Sequence, residues 1–328
     1  MEKFSQFRDR GSGISPFMPI TTPASALSSI VHVFIFLFRL PFFVSYVLLY
    51  FLVLHHLPLP VFVRKLLLWG VMGIPGIWWV DLQLDGVKRG RLSQQPPSRV
   101  PHPRSVIAAN FTSPIDALYL AAIFDPVFTV SYPGTRKVRR IGLLQAVCMA
   151  LSNPPRTTPP PPPPPTTGLT DLRALLERYP DRVIAVFPEC GTTNGKGILP
   201  LSPSLLAVPS DVAIFPVSMR YTPPDITTPV PGAWFAFLWK LLSRPTHCIR
   251  VRIAERMHNT SLATNGVSHH DTKVVGEGAE GGSEATPEEQ RVLDRVAEAL
   301  ARLGRNKRVG LTMKDKAAFV EAWNKRRR

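Results

Sequence analysis

Two short segments concentrate side chains able to hold or move charge: Asn110-Phe111-Thr112-Ser113-Pro114-Ile115-Asp116 and Phe187-Pro188-Glu189-Cys190-Gly191-Thr192-Thr193-Asn194-Gly195-Lys196-Gly197. The second gathers a carboxylate, hydroxyls, an amide, a lysine and three glycines. Glycine leaves backbone N–H groups free to turn toward an anion and Lys196 adds positive charge, so this turn is suited to a phosphate. The spacing GxxxxGK[ST] of a P-loop does not occur, and an ordinary glycine turn is the alternative. Cys148, Cys190 and Cys248 lie far apart without a CxxC pair. That usage points to a reducing compartment and to no cysteine-bound metal.

Each polar segment follows an apolar run, and the runs define the elements that must position it. Val106 to Ala109 predicts a buried strand, Ile115 to Phe124 a helix, Val127 to Ser131 a strand and Ile141 to Leu151 a helix. Leu169 to Arg178 predicts a helix, and Val183 to Phe187, Ala213 to Tyr221 and Cys248 to Ile253 predict strands. The implied class is α/β, a mixed, largely parallel sheet flanked by helices, with functional groups in loops beyond strand ends. The capping box from Thr286 to Glu289 opens a last helix whose apolar positions are Val292, Val296, Leu300 and Leu303, with Gly304 expected to stop it.

The chain has 328 residues, 45% of them hydrophobic, and a formal charge of +16 from 39 Lys+Arg and 23 Asp+Glu. Collagen, coiled coil and wholesale disorder are excluded. Much of the apolar content lies near the start. Ile30 to Tyr50 reads IVHVFIFLFRLPFFVSYVLLY and continues as FLVLHH, about 25 residues, enough to cross an oily core of about 30 Å. Arg39 in its middle costs roughly 2.5 to 3.5 kcal/mol on insertion. A second block, Leu57 to Val80, carries Arg64, Lys65, Trp69, Trp78 and Trp79 and suits an interfacial or re-entrant helix. The polar stretch ahead of the first run is too long for a cleaved signal peptide. Lys3, Arg8 and Arg10 before it and Lys88, Arg89 and Arg91 after it favour a hairpin with both ends cytoplasmic. The remaining basic charge, including the terminal KRRR, is expected to meet anionic lipid; no recognition fold for nucleic acid accompanies it. Pro154 to Gly168 is a polyproline spacer, a possible ligand for an SH3-like partner. His269 and His270 fall in the Gly/Ser-rich stretch from Thr260 to Ala285, expected to be a solvated loop.

FPECGTTNGKG resembles the FPEGT block of the glycerolipid (phospholipid/glycerol) acyltransferase family, and NFTSPID resembles its NHxxxxD block. SYPGTRKVRRIGLLQ and AIFPVSMRY are similar to the blocks between and after, in the same order. Within that PlsC-like family the chain is most similar to fungal lysophosphatidic acid acyltransferases linked to vacuolar protein sorting and lipid droplets. The resemblance covers about residues 30 to 255.

It implies transfer of an acyl group from acyl-CoA to the hydroxyl of a lysoglycerophospholipid, most simply lysophosphatidic acid to phosphatidic acid. The expected place is the cytoplasmic face of the endoplasmic reticulum or of lipid droplets. In the family the histidine of NHxxxxD takes the hydroxyl proton, its aspartate orients it, and the FPEGT block binds the glycerol phosphate. Here Asn110 and Asp116 match, whereas Phe111 occupies the histidine position and cannot accept a proton. Cys190 stands where glycine is usual and Gly191 where the first threonine is usual. The implied substrate-binding set is Glu189, Gly191, Thr192, Thr193, Asn194, Gly195 and Lys196, with Arg136 and Arg139 as partners for phosphate or CoA; no metal or resident cofactor is implied. His102 or Asp116 could replace the base, Cys190 could form a thioester, or the chain could bind lipid and acyl-CoA without turnover. The expected organisation is a polar tail (1–27), a membrane-anchoring hairpin (28–80), an acyltransferase-like domain (81–255) with a polyproline insertion (154–168), a disordered loop (256–285) and C-terminal helices with a basic tail (286–328).

Overall fold

The structure is a computed structural model that describes residues 2–22, 26–88, 90–91, 94–152, 168–261 and 285–327. The expected polyproline spacer, apart from Gly168, lies outside the described residues, as do His269, His270 and the loop from 262 to 284.

The short apolar runs form a mixed sheet. Its strands are β1 (Ile77–Leu84), β2 (Val106–Ala109), β3 (Val127–Ser131), β4 (Val138–Ile141), β5 (Leu169–Thr170), β6 (Ile184–Val186), β8 (Ile214–Thr222) and β9 (His247–Ile253). A separate pair joins β7 (Gly197–Ile198) to β10 (Lys307–Arg308). The order is β1-β9-β8-β2-β6-β3-β4-β5. β8, β2, β6 and β3 run parallel at the centre, β1 is parallel to β9, and the β8/β9, β3/β4 and β4/β5 pairs are antiparallel.

Side chains alternate across the central strands, and both faces are buried, which explains why these strands are continuously apolar. Ile107, Ala109, Ala185, Phe215 and Val217 point into one core. Val106, Ala108, Ile184, Val186 and Ile214 point into the other. The first core is covered by α1 (Ala26–Leu52), α2 (Val61–Gly73), α3 (Pro114–Phe124), α4 (Leu143–Met149) and α6 (Trp234–Ser243); the second by α5 (Leu172–Arg178) and α7 (Pro287–Gly304). The capping box of Thr286 and Glu289 forms as expected, and α7 runs through Gly304 before Arg305 adopts φ 49.

Four expectations about organisation change. The boundary at 80/81 falls inside β1, because the tryptophan-rich block ends as a strand paired with β9. The region before 28 is no free tail: Phe4, Phe7 and Phe17 pack on Phe319 of α8 (Met313–Arg327), with ring centroids 5.5, 5.3 and 6.0 Å apart. The loop expected from 256 keeps structure as far as 261, where Met257 bridges Ile214 and Asn259 is buried with its amide donating to Leu206 and Val208 carbonyls. The basic tail is likewise mostly α8, whose inner side is buried.

Ser29–His56 has mean hydropathy 2.1 and is, among the described residues, the one helical stretch long and apolar enough to cross a membrane. One side of α1 packs on the body. Arg39 donates to the carbonyls of Arg244 (2.6 Å), Pro75 (3.2 Å) and Pro245 (2.9 Å), Phe36 meets Trp239, and Tyr46 donates to the Leu67 carbonyl at 3.1 Å. Carbonyl oxygens thus replace the water that the Arg39 charge would otherwise need. The opposite side, with Phe34, Leu37, Phe38 and Phe42, is bare, and Phe62, Trp78, Trp79, Trp234 and Phe235 are also exposed.

Candidate active site

Both polar segments lie where the sequence reading places them, at the C-terminal ends of the parallel strands β2 and β6. The first closes on itself. The Asn110 amide donates to the Met219 carbonyl at 2.9 Å while its oxygen accepts from the Met219 N–H at 2.7 Å, so the side chain extends the β2/β8 ladder like a peptide group. Asp116, with no exposed surface, accepts from the Thr112 N–H (2.6 Å), the Ser113 N–H (2.9 Å) and the Thr112 hydroxyl (3.1 Å) on one oxygen and from the Tyr221 hydroxyl on the other. Together with Ser113 it forms the capping box that starts α3. Desolvation raises its pKa to about 6, opposed by these donors. With both oxygens engaged, Asp116 holds the loop shape, and the role of substitute base expected of it finds no free oxygen.

Phe111 is 1% exposed and stacks on Phe187 with centroids 4.3 Å apart. Its backbone joins the two segments: its N–H donates to Glu189 Oε1 at 3.4 Å, and its carbonyl accepts from the Thr193 N–H at 3.0 Å. Glu189 Oε2 accepts from the Leu199 N–H at 3.0 Å. Glu189 is fully buried, and desolvation pushes its pKa from an ordinary 4.5 to about 7. It braces the glycine turn from beneath.

The rest of that turn divides in two directions. Asn194 donates to the carbonyls of Ser15 (2.8 Å) and Met18 (2.9 Å), fastening the N-terminal segment. Gly195, at φ 71, needs a conformation glycine adopts without strain. Exposed Lys196 lines a groove of about 630 Å³ with Arg8, Phe4 and Met18. Thr192, Gly191 and Cys190 instead face a smaller cavity of about 120 Å³, shared with Phe111, Val130, Tyr132, Arg139, Met149, Ser152 and Lys316.

Arg139 therefore reaches the cavity, as expected, and its buried Nε has no hydrogen-bond partner. Arg136 does not, because it pairs with Glu289 of α7 at 3.0 Å. His102 lies before β2, at the end of the strand away from Phe111, with Nδ1 3.2 Å from the Val100 carbonyl, so it cannot supply the missing base. Cys190 occupies a left-handed position at φ 60 and its Sγ donates to the Pro188 carbonyl at 3.6 Å. Burial pushes its thiol up to about 12, so the thioester route lacks a thiolate. Cys148 and Cys248 are half-buried. Among the described residues no group of His, Cys, Asp or Glu is placed to hold a metal ion.

Among the cavity residues that the sequence reading did not single out, one carries a buried amine. Lys316 of α8 is 1% exposed, and its Nζ donates to the Thr192 carbonyl at 2.7 Å and to Thr192 Oγ1 at 3.0 Å. Burial lowers its pKa from 10.5 to about 7. A signal was present: Met313, Lys316, Phe319, Val320 and Trp323 share one face of a 3.6-residue period, and the lysine interrupts an otherwise apolar stripe.

No family model matches the chain, and no solved structure matches it. Over 338 aligned positions, 99% of each chain, it is 25% identical to a Schizosaccharomyces pombe protein that carries the provisional name lysophosphatidic acid:oleoyl-CoA acyltransferase. The chain is thus similar from end to end to a protein named as an acyltransferase.

Proposed function

We propose that this chain transfers a fatty acyl group from acyl-CoA to the free hydroxyl of a lysoglycerophospholipid, with lysophosphatidic acid as first candidate acceptor and phosphatidic acid as product. The observation that carries the reading is the full-length similarity to the fission-yeast protein so named. It is supported by the meeting of both polar segments at the ends of β2 and β6, beside a cavity.

Asn110, Asp116, Glu189 and Thr193 hold the loops, while Arg139, with an unpartnered buried Nε, offers a donor to the acceptor's phosphate. Lys196 and Arg8, on the neighbouring groove, suit the phosphates of CoA. The co-substrate is acyl-CoA, and the reaction needs no resident cofactor. Basic charge on this reading serves lipid and CoA rather than nucleic acid.

The bare side of α1 and the exposed aromatic residues near it form the membrane surface. Since Arg39, Phe36, Tyr46 and Tyr50 tie α1 to the body along its length, it lies in the interface as a monotopic anchor rather than crossing alone. Such a face suits the cytoplasmic leaflet of the endoplasmic reticulum and equally the monolayer of a lipid droplet.

The Phe111–Phe187 stack, in place of a histidine, favours a second reading, a chain that binds lipid and acyl-CoA without turnover. Labelled oleoyl-CoA with lysophosphatidic acid and purified protein in vesicles decides between them. Labelled phosphatidic acid above the heat-inactivated control is expected. Binding of both substrates without product, across a panel of lysophospholipids, would leave the second reading.

A further inference from the structure

We propose that the ε-amine of Lys316 is the general base of this reaction, working from the cavity wall beside Phe111; the inference rests on the transferase reading above. Two hydrogen bonds fix the orientation of its nitrogen. The Thr192 hydroxyl gives its own proton to the Thr228 carbonyl at 2.7 Å, so toward Lys316 its oxygen only accepts. The Thr192 carbonyl also only accepts. A neutral amine has two N–H groups, and these two acceptors use both. What remains on the tetrahedral nitrogen is a lone pair, on a side chain that lines the cavity.

Nothing described ties that nitrogen up as an ammonium. Among the described residues no carboxylate lies within ion-pair distance of it; Glu189, which accepts the Phe111 and Leu199 N–H groups, acts on it only through space. Burial disfavours the charged form and brings the pKa to about 7, where a base is partly free at neutral pH. The other titratable or charged groups facing it are Glu189, which favours its proton, Asp116 behind Glu189, and Arg139, Tyr132 and Cys190 in the cavity wall.

All three departures from the acyltransferase pattern, Phe111, Cys190 and Gly191, fall on this same cavity, and two of them clear space or chemistry from it. Phe111 removes the histidine, and Gly191 removes a threonine side chain. A Cβ at position 191 would stand 2.4 Å from Met313 Cε and 3.3 Å from Lys316 Nζ, so a side chain there would push the end of Met313 aside and crowd the lysine.

In the step, the acceptor's O–H proton passes to Nζ as its oxygen forms a bond to the thioester carbonyl carbon. The C–S bond then breaks, the CoA sulfur takes the proton back from Nζ, and ester, free thiol and neutral amine result.

The test is kcat against pH for the full chain in vesicles. Wild-type kcat is expected to rise with pH to a plateau, with a midpoint near the buried amine's pKa of about 7. In Glu189→Gln that midpoint is expected to move to lower pH, because the negative neighbour that holds the proton is gone; a midpoint that vanishes in Glu189→Gln would make Glu189 the base. Lys316→Met is expected to lose about 10² to 10⁴-fold in kcat with KM for acyl-CoA little changed. Lys316→Ala is expected to regain turnover with added primary amines, more with the more basic ones. If the lysine variants do not fold, the wild-type and Glu189→Gln profiles decide, and a flat wild-type profile overturns the proposal. Turnover unaffected in folded Lys316→Met overturns the base alone, whereas no transfer by the wild type to any lysophospholipid overturns the activity it rests on.

Discussion

The loop that leaves β2 is saturated by its own neighbours, whereas the loop that leaves β6 opens on a cavity and is met there by a helix more than a hundred residues further along the chain. Asn110 and Asp116 have every polar atom engaged by backbone or Tyr221. Around Thr192, by contrast, Lys316 keeps an unused lone pair when neutral and Arg139 an unpartnered Nε. Two segments equally polar in sequence thus divide into a brace and a working surface. The difference lies in which atoms are left over once the fold has taken what it needs.

Breaking the brace is expected to give the largest effect on stability. Asp116→Ala leaves the Thr112 and Ser113 N–H groups and the Tyr221 hydroxyl without their acceptor. At about 1 to 3 kcal/mol for each buried orphan, a loss of about 4 kcal/mol is expected in denaturant midpoints. A loss below about 1 kcal/mol would mean that water replaces the carboxylate and the loop is less closed than described. Gly191→Thr tests the other side. Its Cβ would overlap Met313 Cε and crowd Lys316, so Gly191→Thr is expected to displace those side chains and loosen the seat of α8, at about 1 to 3 kcal/mol, and to speed up proteolysis within α8. An unchanged proteolysis pattern would separate the turn from the helix.

The pH dependence of stability sharpens the contrast further. Asp116 and Glu189 have folded pKa values raised to about 6 and about 7, so the stability they contribute is present in acid and is lost as pH rises through those values. Lys316, lowered from 10.5 to about 7, contributes stability that is present in alkali and is lost as pH falls through 7. The denaturant midpoint is therefore expected to dip near neutral pH. Glu189→Gln should flatten the acid limb and Lys316→Met the alkaline one; a monotonic curve in the wild type would contradict both. The smallest effects separate two arginines three positions apart in the chain but different in their surroundings. Arg139→Ala is expected to raise KM for a phosphate-bearing acceptor about tenfold, as loss of a charge-assisted bond would. Arg136→Ala removes only its half-exposed pair with Glu289, worth less than about 1 kcal/mol, and is expected to leave KM alone. Equal KM effects would put both in the substrate path.

Much of the sheet was legible because its central strands are short, β-branched and bounded by turn residues; VIAA at 106–109 is a strand at those positions. The capping box at Thr286 was an equally local signal, and the one at Ser113, which the sequence reading did not name, is of the same kind. Ile141 to Leu151 was less so: Ile141 closes β4 and only Leu143–Met149 is helical, because an antiparallel neighbour claims the first residue. Both segments of the site were readable, but their division of labour was not. That depends on pairings such as Asn110 with Met219, which local pattern does not encode. Lys316 was hidden for a similar reason. It sits in a run dense with Lys and Arg, where a solvated face is the natural expectation, and only the long-range packing of Phe4, Phe7 and Phe17 on Phe319 turns that helix inward.

The missing side chain at Gly191 also constrains descent. A threonine there would crowd a lysine seated at 316. On the account given for Lys316, a lineage that began with a histidine at 111 and kept a base throughout had to fix glycine at 191 and lysine at 316, in either order, before phenylalanine at 111. An ancestor that lost the histidine earlier would have passed through a generation with no base at all.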